Sequence, residues 1–306
     1  MADKFTGVVA AMATPMTTEQ EIDLTRLEEL TERLIAGGVH GLAPLGSTGE
    51  FYALSAAERE AVARTVIQTT SGRVPVIVGA NAGSTLEVIA YCQEAERLGA
   101  DGVLLAPPYY SLPTESELLG HFRAVAEAIR IPIMLYNYPG RAGVDLTPAL
   151  VERLSEVEGI EYIKESSGDA TRVADILVRC GERMTVFCGS DTLALESLVA
   201  GATGWVGGVA NVLPEEHRYL YELVTGGRLG EARELYYRLI PLLQLFEGGG
   251  QYTQLVKAGC CMRGLDVGPP RAPLAEPGAA ERARLDSLLQ AFSAPETGSG
   301  ARRGQR

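Results

Sequence analysis

Short runs of apolar and β-branched residues alternate along the chain with longer stretches whose apolar residues recur every three to four positions. The short runs predict strands at 7–11, 39–44, 74–78, 102–106, 131–136, 159–164, 185–188 and 204–206. The intervening stretches carry helix start signals: Ser55 and Glu58, Ser84 and Glu87, and Thr114 and Glu117 have the spacing of a capping box. Thr147-Pro148 offers an N-cap followed by proline at the first helical position, and Gly37-Gly38 and Gly99 close helices before the next strand. Eight strands alternating with helices predict an α/β protein with a parallel sheet, most economically a closed (β/α)8 TIM barrel. A doubly wound sheet competes, but the segment spacing is nearly constant and the first βα turn lacks Gly-x-Gly-x-x-Gly. Beyond Pro214 only helical periodicity remains, over 215–225, 229–246, 252–263 and 279–292, interrupted by Gly248-Gly249-Gly250 and Gly268-Pro269-Pro270. The predicted organisation is a barrel over 1–224, a C-terminal helical appendage over 225–293, and a disordered Gly/Ser/Arg-rich tail over 294–306.

Composition narrows the function classes. A chain of 306 residues, 46% hydrophobic and 22% charged, has the make-up of a globular protein with a substantial core. Its net charge of −12, with no basic stripe, opposes nucleic acid as a partner. No apolar run approaches the roughly 18 residues of a membrane span. The start, Met1-Ala2-Asp3-Lys4-Phe5, lacks a signal-peptide core, so the cytoplasm is the expected location. Cys92, Cys180, Cys188, Cys260 and Cys261 form no C-x-x-C pair and read as reduced core residues. His40, His121 and His217 are far apart in sequence, so no metal site is expected.

In a barrel the chemistry belongs at the C-terminal ends of the strands. Those ends carry Thr14, the turn Gly46-Ser47-Thr48-Gly49-Glu50, Asn81, Tyr109-Tyr110, Tyr136-Asn137, Lys164, Gly189-Ser190-Asp191 and Gly207-Gly208. Lys164 is the odd member. In Ile160-Glu161-Tyr162-Ile163-Lys164, period-two alternation puts Ile160, Tyr162 and Lys164 on one face. A lone strand-end lysine ordinarily snorkels to water. Desolvated against apolar walls it gives up its proton more readily and can attack a carbonyl to form a Schiff base. Imine formation needs protons moved to and from a carbinolamine oxygen, and Tyr136, Tyr110 and Ser47 supply hydroxyls that could relay them. The Gly46 to Gly49 turn suits a small anion such as a carboxylate, or is a plain strand-to-helix turn; it is not a phosphate loop, because no Gly-Lys-Ser/Thr follows. Arg141, in a Pro/Gly loop after the fifth strand, is either solvated or pairs with a second substrate carboxylate. Glu50 and Glu165 read as structural.

These positions resemble the dihydrodipicolinate synthase and N-acetylneuraminate lyase family of Schiff-base, pyruvate-dependent aldolases. The matching pieces are Gly46-Ser47-Thr48-Gly49-Glu50, Pro108-Tyr109-Tyr110, Leu135-Tyr136-Asn137-Tyr138-Pro139, Ile163-Lys164-Glu165-Ser166-Ser167-Gly168-Asp169 and Gly201-Ala202-Thr203-Gly204, in family order. The resemblance implies that Lys164 forms the imine with pyruvate and that Tyr136 transfers protons, with Ser47 and Tyr110 completing the relay. It assigns the pyruvate carboxylate to Thr48 and the backbone near Ser47, and makes Gly189 and Val206 pocket walls. No external cofactor is implied, and the partners are a 2-oxo acid and an aldehyde. A homotetramer built as a dimer of dimers is implied as well, with Tyr110 reaching into the neighbouring subunit's site.

Among family members, Arg141 matches the arginine that the synthases use for the acceptor carboxylate, which favours condensation with aspartate-semialdehyde. Thr192 stands where the sialic acid lyases carry a glutamate for sugar hydroxyls, and Gly208 where they carry a serine. Ser47 in place of the usual threonine, Trp205-Val206-Gly207-Gly208 and the bulky Phe51-Tyr52 depart from the synthase pattern and keep a 2-keto-3-deoxy sugar-acid aldolase or dehydratase as the alternative. Ala56, Arg59 and Gly83 replace the residues that bind inhibitory lysine, so lysine feedback is expected to be absent. A metal-dependent aldolase and a non-catalytic binder with a vestigial site are the competing classes.

Overall fold

The computed structural model describes residues 5–292, so the tail expected over 294–306 lies outside the described residues. Eight strands form one parallel sheet: β1 (Gly7–Ala11), β2 (Gly41–Ala43), β3 (Ile77–Gly79), β4 (Gly102–Leu105), β5 (Ile133–Asn137), β6 (Ile160–Glu165), β7 (Thr185–Cys188) and β8 (Gly204–Gly207). They lie in the order β2-β1-β8-β7-β6-β5-β4-β3, and a parallel bridge between Leu42 and Val76 joins β2 to β3. The molecule is a (β/α)8 TIM barrel with helices between the strands and a helical C-terminal part.

Where strand limits differ from expectation, proline explains two cases. Pro75 and Pro132 have no N–H to donate, so β3 and β5 begin after them. Their carbonyls still accept, from Leu42 N–H at 2.9 Å and Val103 N–H at 3.0 Å. A third difference changes a face. The register steps from Ile133 opposite Ile160 to Met134 opposite Tyr162, so β6 holds one extra residue at that point. The expectation that Ile160 shares a face with Tyr162 and Lys164 is therefore corrected. Ile160 packs with Ile163 in the layer between sheet and helices, whereas Tyr162 points into the barrel with Val9, Ile77, Leu104, Met134 and Phe187. Beyond the bulge the register pairs Tyr136 with Lys164 on adjacent strands, which aims both side chains inward at the C-terminal rim.

The capping box over Ser55 and Glu58 forms, and Glu117 reaches back to the Thr114 N–H at 2.7 Å. After β8, helix Pro214–Thr225 packs against β1, and helices Leu229–Gly248, Tyr252–Met262 and Ala279–Leu289 follow. This last part is tied to the barrel rim by a buried ion pair, Lys257 Nζ to Glu50 Oε1 at 2.7 Å. Glu50 Oε2 also accepts from the Arg271 N–H at 2.8 Å, in keeping with its expected structural role. Among the described residues no helix is long and apolar enough to cross a membrane.

Candidate active site

Lys164, the penultimate residue of β6, has only 6% of its surface exposed, and its Nζ lies 4.3 Å from the centre of the Tyr136 ring on β5. The neighbouring strand makes room for it. A Cβ added at Gly189, just past β7, would sit 1.9 Å from Ser166 Oγ and 2.6 Å from Lys164 Cγ, so any side chain there would push those groups aside. Ser47 and Thr48 come from the turn after β2. Leu45 and Glu50 bracket that turn in the left-handed region, at φ 61° and 56°. Each such residue costs on the order of 1–3 kcal/mol, which the Glu50 anchors offset. Within the turn Gly49 N–H donates to Gly46 O and Glu50 N–H to Ser47 O, while Thr14 Oγ1 donates to Gly49 O at 2.7 Å.

These groups surround a cavity of about 320 Å³ whose walls include Lys164, Tyr136, Ser47, Thr48, Arg141, Gly189 and Val206. Seven of the eight site residues read from the sequence thus meet in one place. The eighth, Tyr110, does not line this cavity or the adjoining one of about 290 Å³. It is 96% exposed, with φ at 73°. The short helix Pro139–Ala142 carries Arg141 into both cavities, with its guanidinium 5.6 Å from the Tyr138 ring.

Other residues on the cavity escaped the sequence reading. Ser166 is 5% exposed, lines the cavity and has no hydrogen-bond partner for its hydroxyl. Its place two residues after Lys164 was a usable signal. Tyr252 donates to Asp191 and accepts from the Gly208 N–H at 2.9 Å. A Cβ at Gly208 would stand 2.7 Å from the Tyr252 hydroxyl and 2.9 Å from Thr48 Oγ1, so the phenol occupies the space that a side chain at 208 would use. Trp205 Nε1 donates to the other Asp191 oxygen at 2.8 Å. Burial, and then the nearby charge of Glu247, push the Asp191 carboxyl up, while Lys164 pulls it the other way. Glu247 also lines the cavity and accepts from Asp191 N–H, Thr192 N–H and Thr192 Oγ1. No motif marks Glu247, which sits near the end of a helix far along the chain. No group of three or more His, Cys, Asp or Glu able to hold a metal occurs among the described residues.

A TIM barrel with a buried lysine and tyrosine side by side at its C-terminal rim, beside a hydroxyl-bearing turn, defines a lyase of the aldolase and synthase type. Comparison with known proteins gives the family: the model of the dihydrodipicolinate synthetase family matches residues 4–292, and the chain belongs to that family. It is 36% identical over 292 residues to the 4-hydroxy-tetrahydrodipicolinate synthase of Pelobacter propionicus, covering 94% of this chain and 99% of that protein. A crystal structure from Pseudomonas aeruginosa, provisionally named a dihydrodipicolinate synthetase, superposes with a TM-score of 0.92 at 38% identity, over 95% of this chain and all of that one. The dihydrodipicolinate synthase of Acinetobacter baumannii complexed with pyruvate gives 0.89 at 32% identity, over 94% and 99% of the two chains.

Proposed function

We propose that the protein condenses pyruvate with aspartate-semialdehyde through an imine on Lys164, as a 4-hydroxy-tetrahydrodipicolinate synthase. The observation that carries this reading is the buried Lys164 amine against the Tyr136 ring, in a cavity that also presents Thr48 and Arg141. The neutral amine adds to C2 of pyruvate, and the carbinolamine loses water to leave an iminium. Tyr136 and Ser47 move the protons of that step. Loss of a C3 proton gives the enamine, whose C3 bonds to the aldehyde carbon as the new alkoxide takes up a proton; the acceptor's amine, once deprotonated, then adds to C2 of the re-formed iminium and expels the Lys164 amine, closing the ring. Thr48 holds the pyruvate carboxylate, Gly189 and Val206 shape the wall, and Arg141 holds the acceptor carboxylate. No cofactor enters, because the iminium itself is the electron sink.

Tyr110 reaches the relay of a neighbouring subunit in a homotetramer built from tight dimers; its exposure supports that assignment. The barrel is read as 1–224 and the helical extension as 225–293, and the enzyme as cytoplasmic. Borohydride plus pyruvate is expected to add one covalent mass on Lys164, lost in Lys164→Ala; a wild-type protein left unmodified would sink the imine. Glu247 favours a second reading, a 2-keto-3-deoxy sugar-acid aldolase or dehydratase, since it returns a carboxylate to the rim where Thr192 had removed one.

A further inference from the structure

Two strand ends omit side chains where a lysine and a carboxylate need room. A Cβ at Gly189 would stand 2.8 Å from Lys164 Cε, and one at Gly207, on β8, 2.4 Å from Asp191 Oδ1. Asp191 follows Gly189 by two residues, on the turn after β7, and is buried. Groups from β8 and the C-terminal helices hold it there. Trp205 Nε1 donates to Oδ1 at 2.8 Å, and Tyr252, which lines the cavity with Lys164, donates to Oδ2. The Trp205 ring is itself fixed by stacking on His217. Both donors are neutral, so the hydrogen bonds of the carboxylate are met while its charge is not. Its titratable neighbours Glu247 on helix Leu229–Gly248, Cys188 on β7 and Tyr252 are neutral or negative. Of the groups that act on it most strongly, Lys164 on β6 is the only cation.

We infer that Asp191 is the buried counter-charge of the cation that forms on Lys164, a positioning residue that stabilises the iminium without lining the cavity itself. The inference rests on the imine proposed for Lys164 and adds a group to it. In that step the neutral amine, pyruvate and one proton become the iminium and one water, so an uncharged side chain turns into a fixed cation. Glu247 is half-buried and faces the open cavity, where water screens it; Asp191 is shielded from that screening. The benefit depends on pH in a way that a purely structural role would not. Where Lys164 enters the step as an ammonium, one cation replaces another, and Asp191 favours neither state. Where it enters as a free amine, Asp191 favours the iminium alone. One opposite charge close by is worth about tenfold or more.

The test titrates the full-length protein in two ways. Cyanoborohydride trapping over a range of pyruvate concentrations is expected to give Asp191→Asn the wild-type apparent affinity on the acid side, and an affinity about tenfold weaker on the alkaline side. Trp205, the only tryptophan, reports on Asp191 through its Nε1 hydrogen bond, so its emission should step as the carboxyl ionises. That step is expected to vanish in Asp191→Asn and to move up by about one pH unit in Lys164→Met. Equal midpoints in wild type and Lys164→Met overturn the inference, and that comparison does not require Asp191→Asn to fold. An affinity loss in Asp191→Asn that is the same at every pH overturns it as well. Failure of the wild type to trap pyruvate sinks the imine instead, while the emission midpoints still decide whether Lys164 and Asp191 sense each other's charge.

Discussion

At the scale of single residues, the absence of a side chain at 189 decides as much as the presence of one at 164. The Lys164 stem and the Ser166 hydroxyl fill the space that a methyl group at 189 would need. Gly189→Ala is therefore expected to fold but to displace the lysine. Displacements of about 1 Å at a reacting group cost on the order of 10²-fold. Rapid-quench borohydride trapping checks this, and an unchanged trapping rate would refute the argument. The positions of Lys164, Tyr136, Ser47 and Thr48 were legible because a barrel concentrates chemistry at strand ends, and the sequence marks those ends. Glu247 and Tyr252 were not legible. They reach the cavity from helices after the last strand, and no local pattern tells which helical residue will face a distant rim.

Among the elements, the strands were legible as runs but not in their limits or, in one case, their facing. Proline set two limits by withholding a donor, and the extra residue in β6 reversed the side on which Ile160 lies; periodicity counts residues and cannot see an insertion in the ladder. β8 and helix Pro214–Thr225 meet through Trp205 stacked on His217, ring centres 4.0 Å apart. Burial pushes His217 down to about 3 and His121 down to about 4. Folded protein then binds fewer protons than unfolded chain below the ordinary histidine value near 6.5. Stability should fall as pH drops through that window, by up to about 1.4 kcal/mol per unit for each histidine. Asp191, pushed up by burial and then by the charge of Glu247, has the opposite sign: the native state holds its proton where the unfolded chain has lost it, so this group costs stability as pH rises above the ordinary carboxylate range. Denaturant titrations between pH 4 and 7 should therefore show a shallower acid-side loss in His217→Phe and a steeper one in Asp191→Asn. Parallel curves for all three proteins would contradict both assignments.

For the whole molecule, the exposed Tyr110 and the buried Glu50 make different demands. If Tyr110 serves the neighbouring subunit, inactive Lys164→Ala and impaired Tyr110→Phe proteins should regain turnover when refolded together, since one site of each hybrid pair then has both residues. No recovery in a verified hybrid would assign Tyr110 elsewhere. The ion pair of Glu50 with Lys257 imposes an order in time. The turn that presents Ser47 and Thr48 is synthesised early, yet the groups that hold its strained end come far later, Arg271 following Glu50 by 221 residues. Removing one partner of such a pair costs about 3–5 kcal/mol, the loss expected for Lys257→Ala on denaturant unfolding. A ribosome-bound chain ending before residue 257 can thus build all eight strands and still present an unset carboxylate turn. Pyruvate binding should appear only once the C-terminal helices have docked, so the newborn barrel stays chemically silent until its own synthesis is nearly finished.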